Sequence, residues 1–228
     1  MYRLHYAPDN ASLIVRLVLE ELGQPYETIL VDRSVSAQHS AAYLKVNPMG
    51  MIPALETPDG PIFETAAILL WLADRHGRMA PAPNVPERAA FLSWLFACAN
   101  GLHTDLRQLF YPHLYAGENG AGHASLTRAR ITRSLDRLEA LAASGQPWFC
   151  AESPTILDLY VAVMLRWPAL YPAEDCAWYD LGRWPRLHAL ATRLETRASM
   201  ATAQAAEGLG PTPLTAPSYP QPPEGSAL

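Results

Sequence analysis

Residues 51–69 read MIPALETPDGPIFETAAIL. Two short apolar runs flank Pro58-Asp59-Gly60, the pattern of a β-hairpin closed by turn-forming residues. The first run carries Pro53, which cannot donate to a sheet ladder and fits only at the first residue of a strand or on an edge. The second run ends in Glu64-Thr65, where the apolar stretch TAAILLWLADRHG (65–77) begins a helix. A helix start offers unpaired N–H groups and the positive end of the helix dipole, so a carboxylate and a hydroxyl there have two readings. Thr65 is an ordinary N-cap and Glu64 an ordinary first-turn acid, or the pair marks an anion site. Pro53 likewise either ends a loop or prepares a backbone edge.

Working outward, the first eighty residues alternate in type. YRLHYA (2–7) reads as a strand, SLIVRLVLEELG (12–23) as a helix stopped by Gly23, and YETILV (26–31) as a second strand. A polar stretch, 32–47, holds an irregular or short helix before the hairpin and the helix at 65–77. The order β-α-β-α-β-β-α describes a small mixed sheet with helices, an α/β domain over 1–78. The proline-rich residues 79–86 form a linker. An all-α domain follows over 87–209, with helices at 87–110 (bent near Asn100-Gly101), 125–144, 153–167 and 183–200. In SPTILDLY, Thr155 and Asp158 have the spacing of a capping box. Residues 210–228 contain six prolines and predict a tail that is disordered or laid over the surface.

Half of the 228 residues are hydrophobic and 17% are charged, with a net charge of −5. That composition is of the globular type, and it lacks the basic field that nucleic acid or anionic lipid requires. Cys98, Cys150 and Cys176 are odd in number and in no metal-ligand spacing, as expected for free thiols in a reducing compartment. No apolar run approaches the length of a membrane span, and the first residues lack the pattern of a signal peptide. The expectation is a soluble, cytoplasmic protein without a metal.

The stretch VNPMGMIPALETPDGPIFETAAILLWLADRHG (46–77) resembles the Asn-Pro-x-Gly, x-Ile-Pro-x-Leu and Glu-Ser/Thr-x-Ala-Ile series of the cytosolic glutathione transferase family, in the same order. SPTILDLYVAV (153–163) is similar to the family's capped C-terminal helix, and WLFACANGLH (94–103) to the first long helix of bacterial beta-class members. The resemblance spans about residues 2 to 200 and implies a thioredoxin-like first domain with an all-helical second one. It implies a cis bond before Pro53 that leaves Ile52's backbone groups to pair with glutathione as an added strand. Thr65 would then take the γ-glutamyl carboxylate, Glu64 the ligand's ammonium, and His39 or Lys45 the glycyl carboxylate.

The same resemblance implies that a side chain near the first helix activates the thiol. The beta-class Pro-Gly-Ala-Cys-Ser-Leu pattern aligns with Pro8-Asp9-Asn10-Ala11-Ser12-Leu13, which places Ala11 at the Cys position. The remaining donors are Ser12, then Asn10, then Tyr6, with plain capping as the other reading of Ser12. His103, Arg107, Tyr111 and Tyr115 recur every four residues and share a helix face. With Trp167 and Tyr171 they are expected to contact a small hydrophobic electrophile, or else to line an interface. The implied activity is glutathione transfer to an electrophile, with glutathione peroxidase chemistry a variant, in a homodimer. A non-catalytic glutathione-binding or scaffold protein is the alternative. A thioredoxin-type oxidoreductase is disfavoured, since no Cys stands at this position.

Overall fold

A computed structural model describes residues 1–117 and 120–227. The chain divides into two compact units. The first contains Met1–Ala80, Glu195–Pro213 and the residues from Ser218 on; the second contains Pro81–Leu194 and Leu214–Pro217.

In the first unit, β1 (Tyr2–Tyr6), β2 (Tyr26–Leu30), β3 (Ala54–Thr57) and β4 (Gly60–Phe63) form one sheet in the order β2-β1-β3-β4. β1 pairs parallel to β2 and antiparallel to β3, and β3 pairs antiparallel to β4. The hairpin expected around Pro58-Asp59-Gly60 is present, with Thr57 opposite Gly60. Thr57 Oγ1 donates to the Gly60 carbonyl at 2.8 Å and accepts from the Asp59 N–H at 3.0 Å. Pro61 pairs with Glu56 on the edge strand β4, where a missing donor is tolerated.

The helix α1 (Ser12–Leu22) buries Leu13, Ile14, Val15, Leu17, Val18 and Leu19 and packs against α2 (Thr65–His76). It ends at Gly23, whose φ of +65° closes the helix by bonds to Glu20 and Leu19 carbonyls, a conformation that favours glycine. Between β2 and β3 the polar stretch forms three short 3₁₀ turns, Arg33–Val35, Ala37–His39 and Tyr43–Lys45, in place of a regular helix.

The second unit is helical: α3 (Glu87–Ala97), α4 (Thr104–Phe110), α5 (Gly120–Ala143), α6 (Ile156–Arg166) and α7 (Pro185–Glu195). The bend expected near Asn100-Gly101 is a π-helical segment, Cys98–His103, joining α3 to α4. Every residue of α6 is buried. The capping box is complete: the Asp158 N–H donates to Thr155 Oγ1 at 3.4 Å and the Thr155 N–H to Asp158 Oδ2 at 2.8 Å. Asp158 Oδ1 also accepts from the Cys150 N–H at 2.7 Å.

The single helix expected over 183–200 is two. α7 ends at Glu195 and α8 spans Ala198–Glu207. The break falls at Arg197, whose backbone is extended and whose guanidinium grips the Glu21 carboxylate of α1 through Nε and Nη2. From Glu195 the chain belongs to the first unit, so α8 and most of the tail are part of the α/β half rather than of the helical one.

Candidate functional site

Strand register sets the geometry. His5 of β1 faces Ala54 of β3, and Ala54 faces Phe63 of β4. The next residues at that end of the sheet are therefore Tyr6, Pro53 and Glu64. The C-terminal end of β1, the start of β3 and the start of α2 meet at one end of the sheet, and open α/β sheets commonly bind ligands at the carboxyl ends of strands.

The Ile52–Pro53 peptide bond is cis, as the resemblance implied. Ile52 lies outside β3, and no protein group among the described residues bonds its backbone N–H or C=O. Behind it, Asn47 is buried, donating from Nδ2 to the Met51 carbonyl at 2.7 Å and accepting from the Met49 N–H at 3.0 Å. The Tyr43 hydroxyl donates to the same Met51 carbonyl at 2.6 Å. These two side chains explain the Asn-Pro-x-Gly motif: they fix the approach to Pro53. Gly50, at φ +62°, completes the turn, and a Cβ there would come within 2.8 Å of His39 Nδ1.

At the helix start the cap differs from the ordinary one. Glu64 is the N-cap residue, at φ +71°, and makes no side-chain cap bond. Thr65 is the first helical residue, buried, and its hydroxyl has no protein partner among the described residues. Plain capping by Thr65 is thus not what the structure contains. A non-glycine residue held at positive φ is a feature that clusters at binding sites. His39 and Lys45 lie exposed on the second and third 3₁₀ turns.

The three donors expected near α1 are placed very differently. Ser12 is fully buried; its hydroxyl donates to the Ala7 carbonyl at 3.0 Å and accepts from the Ala7 N–H at 3.3 Å. The Tyr6 hydroxyl donates to Glu224 Oε1, and burial, followed by that carboxylate, pushes its pKa well above the ordinary phenol. Asn10 is half-buried: its Oδ1 accepts from the Ala11 N–H at 2.8 Å, and its Nδ2 group donates to no protein group among the described residues.

In the helical unit, His103 Nδ1 lies 2.7 Å from the Tyr160 hydroxyl, with the Trp167 ring tilted 34° at 5.7 Å. Burial, then the Arg107 charge, lowers the His103 pKa to about 4. Arg107 donates from Nε to the Tyr115 hydroxyl at 2.8 Å, and its guanidinium lies over the Tyr111 ring at 5.3 Å. Arg107, Tyr111 and Tyr115 are brought together, but not on the one helix face that the spacing of four suggested: α4 ends at Phe110, and Tyr111 and Tyr115 flank a 3₁₀ turn, Pro112–Leu114. His103 is joined to Trp167. Among the described residues no three potential metal ligands cluster, and no helix is long and apolar enough to cross a membrane.

Residues 11–75 match the glutathione S-transferase N-terminal domain and residues 121–193 the C-terminal domain. A glutathione S-transferase, tcpG, of Claviceps purpurea is 30% identical over 80% of this chain and 76% of its own length. The chain belongs to the glutathione S-transferase family. Another relative, the disulfide-bond oxidoreductase YfcG of Escherichia coli, is 30% identical over 70% of this chain and 76% of its own. A sphingomonad glutathione S-transferase solved with glutathione is 29% identical, covers 91% of this chain and all of its own (100%), and superposes with a TM-score of 0.74. The four-stranded sheet with its helices is thus the family's thioredoxin-like domain, and the helical unit its C-terminal domain.

Sequence reasoning did not single out Arg16, Glu207 or Glu224. Nothing local marks them, because each acts on a partner some 190 to 220 positions away.

Proposed function

We propose that the protein is a glutathione transferase: it binds glutathione at the edge formed by Ile52, Pro53, Glu64 and Thr65, activates the thiol, and directs it at a small hydrophobic electrophile. One observation carries this reading. Unpaired backbone groups at Ile52 and an uncapped helix start at Glu64-Thr65 lie at the same end of the sheet. Together they offer what an extended peptide with a terminal carboxylate needs, namely backbone partners and an anion site. The γ-glutamyl carboxylate is assigned to the Thr65 hydroxyl and the first N–H groups of α2, the ammonium to Glu64, and the glycyl carboxylate to His39 or Lys45.

For activation we assign Asn10 ahead of Ser12 and Tyr6. The Ser12 and Tyr6 protons are already committed to Ala7 and Glu224, whereas the Asn10 amide keeps its donor capacity. A free thiol has a pKa near ~8.5, and lowering it by two units corresponds to about 2.7 kcal/mol in favour of the thiolate. An amide donor stabilises the thiolate; the thiol proton leaves to solvent, and sulfur attacks the electrophile as its leaving group departs. In the helical unit, Arg107 and Tyr111 are assigned to the second substrate, since Trp167 is buried and His103 is engaged with Tyr160. We place the protein in the cytoplasm as a homodimer.

A second reading is a glutathione-binding protein without transferase turnover, favoured by Ala11 at the beta-class Cys position and by the engaged hydroxyls of Ser12 and Tyr6. Retention on immobilised glutathione, followed by turnover with an aryl halide, a hydroperoxide and a small disulfide, separates the readings. Retention that is lost in Glu64→Ala and Thr65→Ala, with turnover of the aryl halide, is the expected result. No retention of the wild-type protein defeats both readings, and retention without turnover leaves the second. Turnover of the disulfide alone would assign the activity named for the Escherichia coli relative.

A further inference from the structure

Glu207, the last residue of α8, is fully buried within the first unit. Its two oxygens serve different partners. Oε1 accepts from Arg16 Nε at 2.8 Å, and Oε2 accepts from the Asp9 backbone N–H at 2.8 Å. Arg16 spans outward from there: its guanidinium lies over the Tyr6 ring at 4.9 Å, and Nη1 donates to the Tyr26 hydroxyl at 3.3 Å. One carboxylate therefore ties α8 to α1, to the end of β1 and to the loop between them.

The loop contact is the informative one. A buried acid is compensated by its basic partner, here Arg16, through Nε to Oε1. The bond to Asp9 does something different, because Asp9 sits at φ +48°, where a non-glycine residue costs about 1 kcal/mol or more. That conformation directs the chain from Pro8 into Asn10 and Ala11, the turn from which Asn10 projects ahead of α1. Ser12 braces the other end of the same loop through both backbone groups of Ala7. The bond from the Asp9 N–H to Glu207 crosses 198 positions.

We propose that Glu207 is a positioning residue for thiol activation: by holding Asp9 in its left-handed conformation it sets the β1–α1 loop so that the Asn10 amide meets the glutathione sulfur. This role rests on the transferase reading above. It acts through the loop backbone and touches neither substrate.

The test uses the full-length protein with glutathione. It measures the ultraviolet thiolate absorbance of bound glutathione at one fixed pH, together with kcat and KM for an aryl halide reaction. Arg16 and Asp9 are served by different oxygens of Glu207; in Glu207→Gln one of those positions becomes an NH₂ donor, which cannot accept there. The expected result is a KM for glutathione within about twofold of wild type, with the thiolate signal lost and kcat down by about a hundredfold, the scale of a misplaced catalytic group. Adding Asp9→Gly, which makes the positive φ free of steric cost, is expected to recover most of the signal. Glu207→Asp keeps the charge beside Arg16 but is one methylene shorter, and it should lose the signal too if reach to Asp9 is what matters. This second variant guards against an amide variant that fails to fold. Wild-type signal and kcat in either single variant overturn the role, as does a loss that Asp9→Gly leaves unrepaired. A wild-type protein without a thiolate signal overturns the transferase reading and this role together.

Discussion

The Tyr6 hydroxyl donates to the Glu224 carboxylate at 2.5 Å, joining residues 218 positions apart. The contact is reinforced on either side. Gly225, at φ +74°, packs so closely that a Cβ would lie 2.6 Å from Leu30 Cδ1 and 3.3 Å from Pro8 Cδ, and Arg33 donates to the Ala227 carbonyl. The proline-rich tail is thus a fitted strap across the end of β1. Glu224→Ala is expected to let Tyr6 titrate closer to an ordinary tyrosine, read by ultraviolet titration against wild type. The transferase rate should stay within about twofold, as for other substitutions away from the chemistry. A marked rise in rate would identify Tyr6 as a donor held in reserve and would displace Asn10 from that role.

Asn10 and Ser12 separate activity from stability. Asn10→Ala is expected to abolish thiolate formation while the melting temperature is unchanged. Ser12→Ala strips both backbone groups of Ala7 of their buried partner, and each unsatisfied group costs about 1–3 kcal/mol. Urea unfolding should therefore expose Ser12→Ala, with kcat on the folded fraction falling less than in Asn10→Ala. The reverse pattern, a stable Ser12→Ala with no turnover, would restore Ser12 as the donor.

At Gly50 the backbone has φ +62° and the His39 ring occupies the space a side chain would need. Gly50→Ala is expected to destabilise the protein by about 1 kcal/mol or more, measured by chemical denaturation, and to weaken retention on glutathione by displacing His39. Unchanged retention in a destabilised variant would remove His39 from the glycyl end of the site and leave Lys45.

Loss of the Thr155 cap should act on folding alone. Thr155 Oγ1 accepts from the Asp158 N–H and donates to the Trp148 carbonyl at 3.0 Å. Thr155→Ala is expected to cost about 1–2 kcal/mol and to leave KM and kcat untouched, checked by calorimetry beside steady-state kinetics.

His103 makes stability pH-dependent. Burial lowers its pKa from 6.5 to about 4. Between those values the unfolded chain takes up a proton that the folded protein refuses, so the contribution is present above pH 6.5 and is lost as pH falls towards 4. Comparing wild type with His103→Gln by urea unfolding across that range isolates the slope, which the variant should lack.

What could be read beforehand follows from the range of the forces involved. The hairpin at Thr57–Gly60, the capping box at Thr155 and Asp158 and the bend at Asn100-Gly101 depend on residues a few positions apart, so their signals survive in the linear order. Thr65 was ambiguous because the same residue serves as a cap or as the first helical residue, and only the backbone angles of Glu64 decide between them. Residues 32–47 carry no hydrophobic period; Asp32 caps the first of their three turns by accepting from the Ser34 N–H, and Tyr43 and Asn47 tie the end of the stretch to Met51, which no pattern of polarity announces. The break at Arg197 looked like continuous helix, since the pull of Glu21, 176 positions earlier, has no local mark.

The grouping of Glu195–Pro213 and the residues from Ser218 on with Met1–Ala80 has a consequence for biogenesis. A ribosome releases the sheet-forming segment first, yet Arg16, Glu21 and Tyr6 bond to Glu207, Arg197 and Glu224, which follow 191, 176 and 218 positions later. During most of translation the nascent α/β half therefore waits with exposed polar sockets, while the helical segment is continuous from Pro81 to Leu194 and lacks only the short piece Leu214–Pro217. The half that emerges first is the one that must close last.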